Sequence, residues 1–320
     1  MSSTSTIKAA VFKGVKPSAP FLSLTQIQAP VAGSGDVVVK ILATRVLGYM
    51  GEIFNGTRNY PSQLPMVPGS GGIGLIKSVG PGNVHLQVGQ MVYIDPTVRA
   101  RDHPISPQVM LQGLIAVGEA QKMQDVWLNG SWAEEMLVPT ENVTVIPPSV
   151  QAKFDATQLT SLGNYAVVYG GFVAADFKAG QTVVITGSTG PFGASAVAVA
   201  LSLGARRVLA IGRNQKQLDD YVARYGSRVV GVASTGDVVK DTQSIKEAAG
   251  EGFEIDLAFD ILPPSAPFAI VRSVISALRF GGTAVLMGGV QAAVEFPYYE
   301  LMSRNITIKG NFMYRRDAPT

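Results

Sequence analysis

The second half of this chain imposes the strongest constraint on its fold: short β-branched runs and helix-patterned segments alternate from residue 182 to residue 287. Residues 182–186 (TVVIT) read as a strand, and 192–203 are apolar at helical spacing and rich in alanine. A strand over 207–211 (RVLAI), an amphipathic helix over 215–225, a strand over 228–233 and a helix over 238–249 follow. A strand over 255–261 (IDLAFDI), a helix over 267–278 and a strand over 283–287 (TAVLM) complete the series. Strands joined by helices run parallel, because a helix-length crossover returns the chain to the same end of the sheet. Near-continuous apolar strands then mean burial on both faces. The expected fold class is α/β, with a doubly wound parallel sheet over residues 151–302.

The first of these strands runs into Gly187-Ser188-Thr189-Gly190-Pro191-Phe192-Gly193, with a helix behind it. Glycines at such a turn permit a sharp strand-to-helix reversal, a close approach of the backbone to a pyrophosphate, and close helix–strand packing. The helix start adds unpaired N–H groups and a partial positive charge. The spacing is G-x-x-G-x-x-G, with Ser188 where the first glycine of G-x-G-x-x-G would stand. The turn lies within a βαβαβ run and reads as a Rossmann dinucleotide site. The second strand ends at Ile211 and is followed by Gly212-Arg213-Asn214, with no acid before Asp219. A carboxylate there would bind the ribose of NAD; an arginine instead suits the 2′-phosphate of NADP. The expected cofactor is NADP(H).

The first half is different. It is rich in glycine and proline, with short strands expected over residues 8–12, 36–43, 73–79, 91–94 and 133–138. Turn signals separate them at 33–36 (GSGD), 81–83 (PGN) and 88–90 (VGQ). This punctuation predicts an antiparallel β domain over residues 1–150. Residues 95–130 form a long irregular insertion, and a helical segment over 154–172 leads into the second domain.

Composition narrows the chemistry. Among 320 residues there is no cysteine, and the only histidines are His85 and His103. Disulfides, thiolate metal sites and cysteine nucleophiles are thereby excluded, as is a histidine-rich metal site. Net charge is +3 without a Lys/Arg block, so no nucleic-acid partner is expected. No apolar run reaches the roughly 18 residues of a membrane span, and the N-terminus lacks a secretory apolar core. A cytoplasmic, soluble protein without a membrane partner is expected.

Taken in series, several segments resemble the medium-chain dehydrogenase/reductase superfamily. They are Gly35-Asp36-Val37, Pro68-Gly69 followed by GGIGLIKSVG, Val88-Gly89-Gln90-Met91-Val92, Trp132-Ala133-Glu134 and the glycine turn. Within it, the chain is similar to zinc-free quinone-oxidoreductase-like and alcohol-dehydrogenase-like members. The resemblance implies a GroES-like first domain, completed by a return strand within 303–320. It also implies a cofactor-facing loop at Met287, Gly288, Gly289 and Val290. It further implies a homodimer joined through a sheet edge made of 283–290 and 296–302. Zinc-dependent members bind their catalytic metal at positions matching Leu47, Ser70 and Asn164 here, none of which supplies a thiolate or imidazole. Their structural-zinc lobe would fall within 95–130, which has no cysteine. Members of the family also continue with a further helix and strand beyond the point matching Thr320.

Without a metal, charge developing in hydride transfer needs an O–H or N–H donor. Tyr60, in Asn59-Tyr60-Pro61, resembles the tyrosine of 2-enoyl thioester reductases and is the first candidate. Ser70 and Asn164 are further candidates, and Tyr49 and Glu52 are weaker ones on the same loop. Tyr165 and Tyr169 read as core aromatics, and His85 and His103 as loop residues. The expected substrate is a small enone, quinone or other carbonyl compound. Two alternatives stay open: a reductase or dehydrogenase of simple alcohols, aldehydes or ketones, and a non-catalytic NADPH-binding protein.

Overall fold

A computed structural model describes residues 5–15, 22–102, 105–293 and 295–315. His103 and the residues beyond 315 lie outside the described part. The chain divides into two compact units that change over between residues 163 and 164.

In the first unit, β1 (Thr6–Phe12) pairs antiparallel with β2 (Leu22–Gln28). A five-stranded antiparallel sheet contains β3 (Asp36–Ala43), β4 (Gly72–Val79) and β5 (Met91–Ile94). A small hairpin, β6 (Thr97–Arg99) with β7 (Val109–Leu111), occupies the insertion, which also carries short helical turns at Gly118–Met123 and Gln124–Trp127. With β8 (Glu135–Pro139) and β9 (Val143–Val145), the sheet order is β8-β3-β4-β5-β9. Val37 and Val39, two residues apart on one face of β3, join Ile76, Val92, Ile94, Met136 and Val138 in the core, as strand periodicity requires. The sequence places the domain change at 150/151. Instead Ile146, Val150, Ala156, Leu159 and Leu162 pack on Ile73 and Tyr93 and keep this segment with the first unit. The helix expected over 154–172 is two helices, Ala156–Leu159 and Leu162–Ala174, the first closed by an Asp155–Gln158 capping box.

The second unit is a six-stranded parallel sheet with the order β12-β11-β10-β13-β14-β15. Its strands are β10 (Thr182–Ile185), β11 (Arg207–Gly212), β12 (Val229–Ala233), β13 (Leu257–Asp260), β14 (Thr283–Leu286) and β15 (Thr307–Gly310). Counted from β10, this is the 3-2-1-4-5-6 order of a dinucleotide-binding Rossmann sheet. Alternate residues feed two cores. Val184, Leu209, Ala258 and Ala284 pack with the helices Val238–Ala249 and Phe268–Ala277. Val183, Ile185, Val208, Ala210, Phe259 and Val285 pack with Leu162–Ala174 and Pro191–Ser202 on the other face. All four residues of β10 are buried, which explains its unbroken apolar sequence.

Three expectations are corrected here. The return strand expected within 303–320 is β15. It does not return to the antiparallel sheet of the first unit; it pairs parallel with β14 in register Thr283↔Thr307 to Leu286↔Gly310. Hence β14 is flanked on both sides and is not an edge, and residues 298–303 form a helix, Tyr298–Ser303. The edge beyond β14 belongs to β15. Finally, Tyr165 is no core aromatic: it is 41% exposed, while Tyr169 is half-buried.

Candidate active site

Two groups of candidate site residues stand out, one in each unit. The candidate dinucleotide cradle lies at the C-terminal ends of β10, β11 and β14. Gly190 caps the helix Pro191–Ser202, and Pro191 occupies its first turn, where a missing N–H costs nothing. The N–H groups of Phe192 and Gly193 precede the first intrahelical bond, from Ala194 N to Gly190 O, and have no backbone partner among the described residues. Gly193 is obligatory for packing: a Cβ there would lie 2.1 Å from the Gly187 carbonyl oxygen. Ser188 is fully buried, and its N–H (3.1 Å) and hydroxyl (2.8 Å) both donate to Ile211 O. Tyr221 Oη donates to the Ser188 carbonyl at 2.6 Å. Ser188 therefore pins the turn to β11 and keeps no donor for a phosphate. Thr189 lies against Gly212, whose Cβ would come within 2.8 Å of the Thr189 methyl.

Just past β11, Arg213 is exposed and makes no ion pair or hydrogen bond among the described residues. Asn214 caps the next helix, Gln215–Tyr225, its Oδ1 accepting from Gln217 N at 3.3 Å. Lys216, in the first turn of that helix, is also exposed and unpaired among the described residues. Sequence reasoning singled out Arg213 but not Lys216, since an isolated lysine on a helix reads as a solvated face.

The loop after β14 is tied down from behind. Met287 N donates to Asp260 O at 3.0 Å, and Gly289 N to Leu262 O at 2.8 Å. The buried Asp260 carboxylate accepts from Thr186 Oγ1 at 2.7 Å and from the N–H groups of Leu262 and Gly288. Burial pushes the Asp260 carboxyl up, against those three hydrogen bonds. A Cβ on Gly288 would lie 2.7 Å from Asp260 Oδ2. The Met287 side chain packs inward, against Gly171 and with its sulfur 3.7 Å from Asn311 Nδ2. Gly288 and Gly289 are exposed, so this stretch presents bare backbone at the surface. The next residue, Val290, is half-buried and packs on the core.

In the first unit, the helix Met50–Phe54 anchors the loop between β3 and β4 by its buried Met50, Ile53 and Phe54. The Phe54 ring lies 5.0 Å from Phe12 and 5.8 Å from Trp132. Glu52 and Tyr49 at this helix and Tyr60 beyond it converge on Arg58, a residue the sequence reading missed. Arg58 Nε donates to Glu52 Oε2 at 2.9 Å, with Nη2 2.8 Å from the same oxygen in an ion pair, and Nη1 donates to Tyr60 Oη at 3.4 Å. The guanidinium carbon stands 4.4 Å from the Tyr49 ring centre and 5.5 Å from that of Tyr60. Burial works against the Arg58 charge, but the hydrogen bonds to Tyr60 and Glu52 hold its pKa above the ordinary value. Burial and the neighbouring Tyr60 push the Tyr49 phenol well up, so Tyr49 stays protonated.

Ser70 is half-buried between Gly69 and Gly71, both of positive φ (112° and 75°), and its hydroxyl has no partner among the described residues. Asn164 is buried and already engaged. His85 is exposed, as expected of a loop residue. The donor set does not fit zinc. Leu47 has no ligand atom, Ser70 and Asn164 are poor zinc donors, and no three His, Cys, Asp or Glu side chains group to hold a metal among the described residues.

Comparisons with known proteins agree with this architecture. Residues 33–148 match the alcohol dehydrogenase GroES-like domain, and residues 191–320 match the zinc-binding dehydrogenase family. An alcohol dehydrogenase of Moraxella sp. (strain TAE123) is 28% identical over 295 residues, covering 92% of this chain and 82% of that protein. An L-threonine 3-dehydrogenase of Burkholderia multivorans is 28% identical over 308 residues, covering 91% and 81%. A protein from Sinorhizobium meliloti 1021, solved bound to NADP, superposes with a TM-score of 0.77 at 23% identity, over 98% of this chain and 87% of that one. The chain belongs to the medium-chain dehydrogenase/reductase superfamily and is an oxidoreductase of that type. The first unit is its GroES-like domain and the second its Rossmann domain.

Proposed function

We propose that this protein is a zinc-independent, NADP(H)-dependent reductase of a small enone, quinone or other carbonyl compound, with Tyr60 as proton donor. The observation that carries the reading is the Tyr60–Arg58 pair, on a loop whose Leu47 and Ser70 match, by the resemblance, the metal-ligand positions of zinc-dependent members. The phosphates fit the N–H groups of Phe192 and Gly193, and a 2′-phosphate fits Arg213 with Lys216. The exposed backbone of Gly288 and Gly289 fits the nicotinamide side. The cofactor, when bound, supplies a hydride. Tyr60 supplies the proton to the oxygen or α-carbon of the reduced substrate, and Ser70 offers a second O–H to the carbonyl. A conjugated acceptor suits a metal-free site because its charge is delocalised as the enolate.

The names of the relatives favour a second reading, a dehydrogenase of simple alcohols or a reductase of ketones. An NADPH-consumption screen across enones, quinones, aldehydes and ketones separates the two. Cyclohexenone turning over much faster than cyclohexanone is expected. The reverse order supports the second reading, and no turnover with any acceptor leaves a cofactor-binding protein without a reaction.

A further inference from the structure

Arg58 is the one buried Lys or Arg among the described residues. Burying a guanidinium is costly unless its N–H groups are used. Here the Glu52 carboxylate pairs with the guanidinium and accepts from Nε, the rings of Tyr49 and Tyr60 flank the cation, and the other hydrogen bond among the described residues goes to the Tyr60 oxygen. A guanidinium only donates, so the Tyr60 oxygen must accept from it. The Tyr60 O–H proton is then directed elsewhere, and it meets no acceptor among the described residues. The result is a phenol whose oxygen is held by a cation and whose proton is free to leave. At 3.4 Å the contact is long, as such hydrogen bonds often are before substrate binds.

We propose that Arg58 positions Tyr60 and offsets the charge left on its oxygen when the proton departs, and that Glu52 in turn positions Arg58. This rests on the reading of Tyr60 as the donor. In the step, the Tyr60 O–H bond breaks and its proton passes to the oxygen or α-carbon of the reduced substrate. The electron pair stays on Oη beside the guanidinium, and water returns the proton before the next turnover. The competing account is packing alone, in which Arg58 fills the space between two rings.

A double-mutant cycle in the full-length protein separates the accounts. NADPH oxidation is measured with the fastest acceptor of the screen above for wild type, Tyr60→Phe, Arg58→Gln, Arg58→Lys and the Tyr60→Phe/Arg58→Gln pair. Arg58→Gln is expected to lower kcat roughly ten- to a hundredfold, the range for a charge-assisted hydrogen bond, with KM and NADPH affinity little changed. Arg58→Lys is expected to restore part of the loss. The double variant is expected to be no slower than Tyr60→Phe alone. A double variant slowed by the full Arg58→Gln factor would show a packing role and overturn the proposal. Wild-type turnover in Arg58→Gln, with Tyr60→Phe impaired, would sink the role of Arg58 while leaving the donor in place. Full turnover in Tyr60→Phe would remove the donor reading and this proposal together. Should Arg58→Gln fail to fold, Glu52→Gln, at a side chain 54% exposed, replaces it in the same cycle. Equal slowing by Glu52→Gln with and without the Tyr60 hydroxyl would overturn the proposal.

Discussion

Arg213 is a cation with no partner among the described residues, held just past β11 where an NAD-binding protein would place an acid. Arg213→Ala is expected to weaken NADPH binding about ten- to a hundredfold, with NADH binding nearly unchanged. Fluorescence titration of both cofactors reads this directly, and equal affinities in the wild type would refute the assignment. At Tyr60 two substitutions divide chemistry from packing. Tyr60→Phe is expected to lower turnover by roughly 10²–10⁴-fold, the range for a positioned acid, without lowering the melting temperature. Tyr60→Ala should also destabilise the fold, because it removes the ring that flanks Arg58 and meets Tyr49 at 6.0 Å. A silent Tyr60→Phe would move the search for the donor to Ser70, whose hydroxyl is unpaired among the described residues, before Asn164, which is engaged. The ligand chemistry at Leu47, Ser70 and Asn164 also predicts that chelator treatment leaves turnover intact. Elemental analysis finding one zinc per chain would contradict it.

Elements show where sequence and structure agree and where they part. The segments 36–43, 91–94, 215–225 and 238–249 keep the bounds their patterns imply, because each has one face that must be buried or a cap that stops it. Strand β2 escaped notice because it buries no continuous face: its residues are exposed or half-buried, so no alternation marks it. The strand near residue 308 was legible as a strand, but its partner was not. Which sheet accepts β15 depends on a non-local pairing that the local pattern does not encode. Arg58 was invisible for a similar reason. In the polar run NGTRNYPS it reads as a solvated charge, and only folding brings Glu52, Tyr49 and Tyr60 around it. Among the loops of the Rossmann unit, the one at Ser234–Gly236 is tied by Asp241 of the following helix. Its carboxylate accepts from Ser234 Oγ, Thr235 N, Thr235 Oγ1 and Gly236 N at 2.6–3.0 Å. Burial raises its pKa, but these hydrogen bonds outweigh burial and hold it below the ordinary value. A depressed native pKa means stabilisation above the unfolded value, about 3.9, that is lost as pH falls through the native one. Asp241→Asn should therefore cost roughly 1–3 kcal/mol at neutral pH, with the gap to wild type closing below about pH 4. Urea titrations across pH check this, and a pH-independent gap would contradict it.

At the scale of the whole molecule, no helix of the described residues is long and apolar enough to cross a membrane, and the surface feature that most needs explaining is the β15 end of the parallel sheet. Among the described residues β15 pairs only with β14, and three of its four residues are exposed. An open strand edge invites pairing with another chain unless something covers it. The neighbouring helix Tyr298–Ser303 adds Tyr298 at 81% exposure, Tyr299 at 73% and Met302 at 51%. Isolated apolar residues on a surface are ordinary, but two tyrosines and a methionine on one short helix match the aromatic and methionine enrichment of protein interfaces. A second copy turned about a two-fold axis would cover edge and helix with the same surface on each side. The protein is thus expected to be a homodimer joined through β15 and this helix, rather than through 283–290, which lies inside the sheet. Light scattering at micromolar concentration should report twice the 33.7 kDa chain mass. The double substitution Tyr298→Asp, Tyr299→Asp should shift the mass toward one chain, because it brings like charges face to face across the axis while leaving the buried core untouched. A stable monomer in the wild type would remove the dimer altogether. A dimer that survives both aspartates would place the interface on another face.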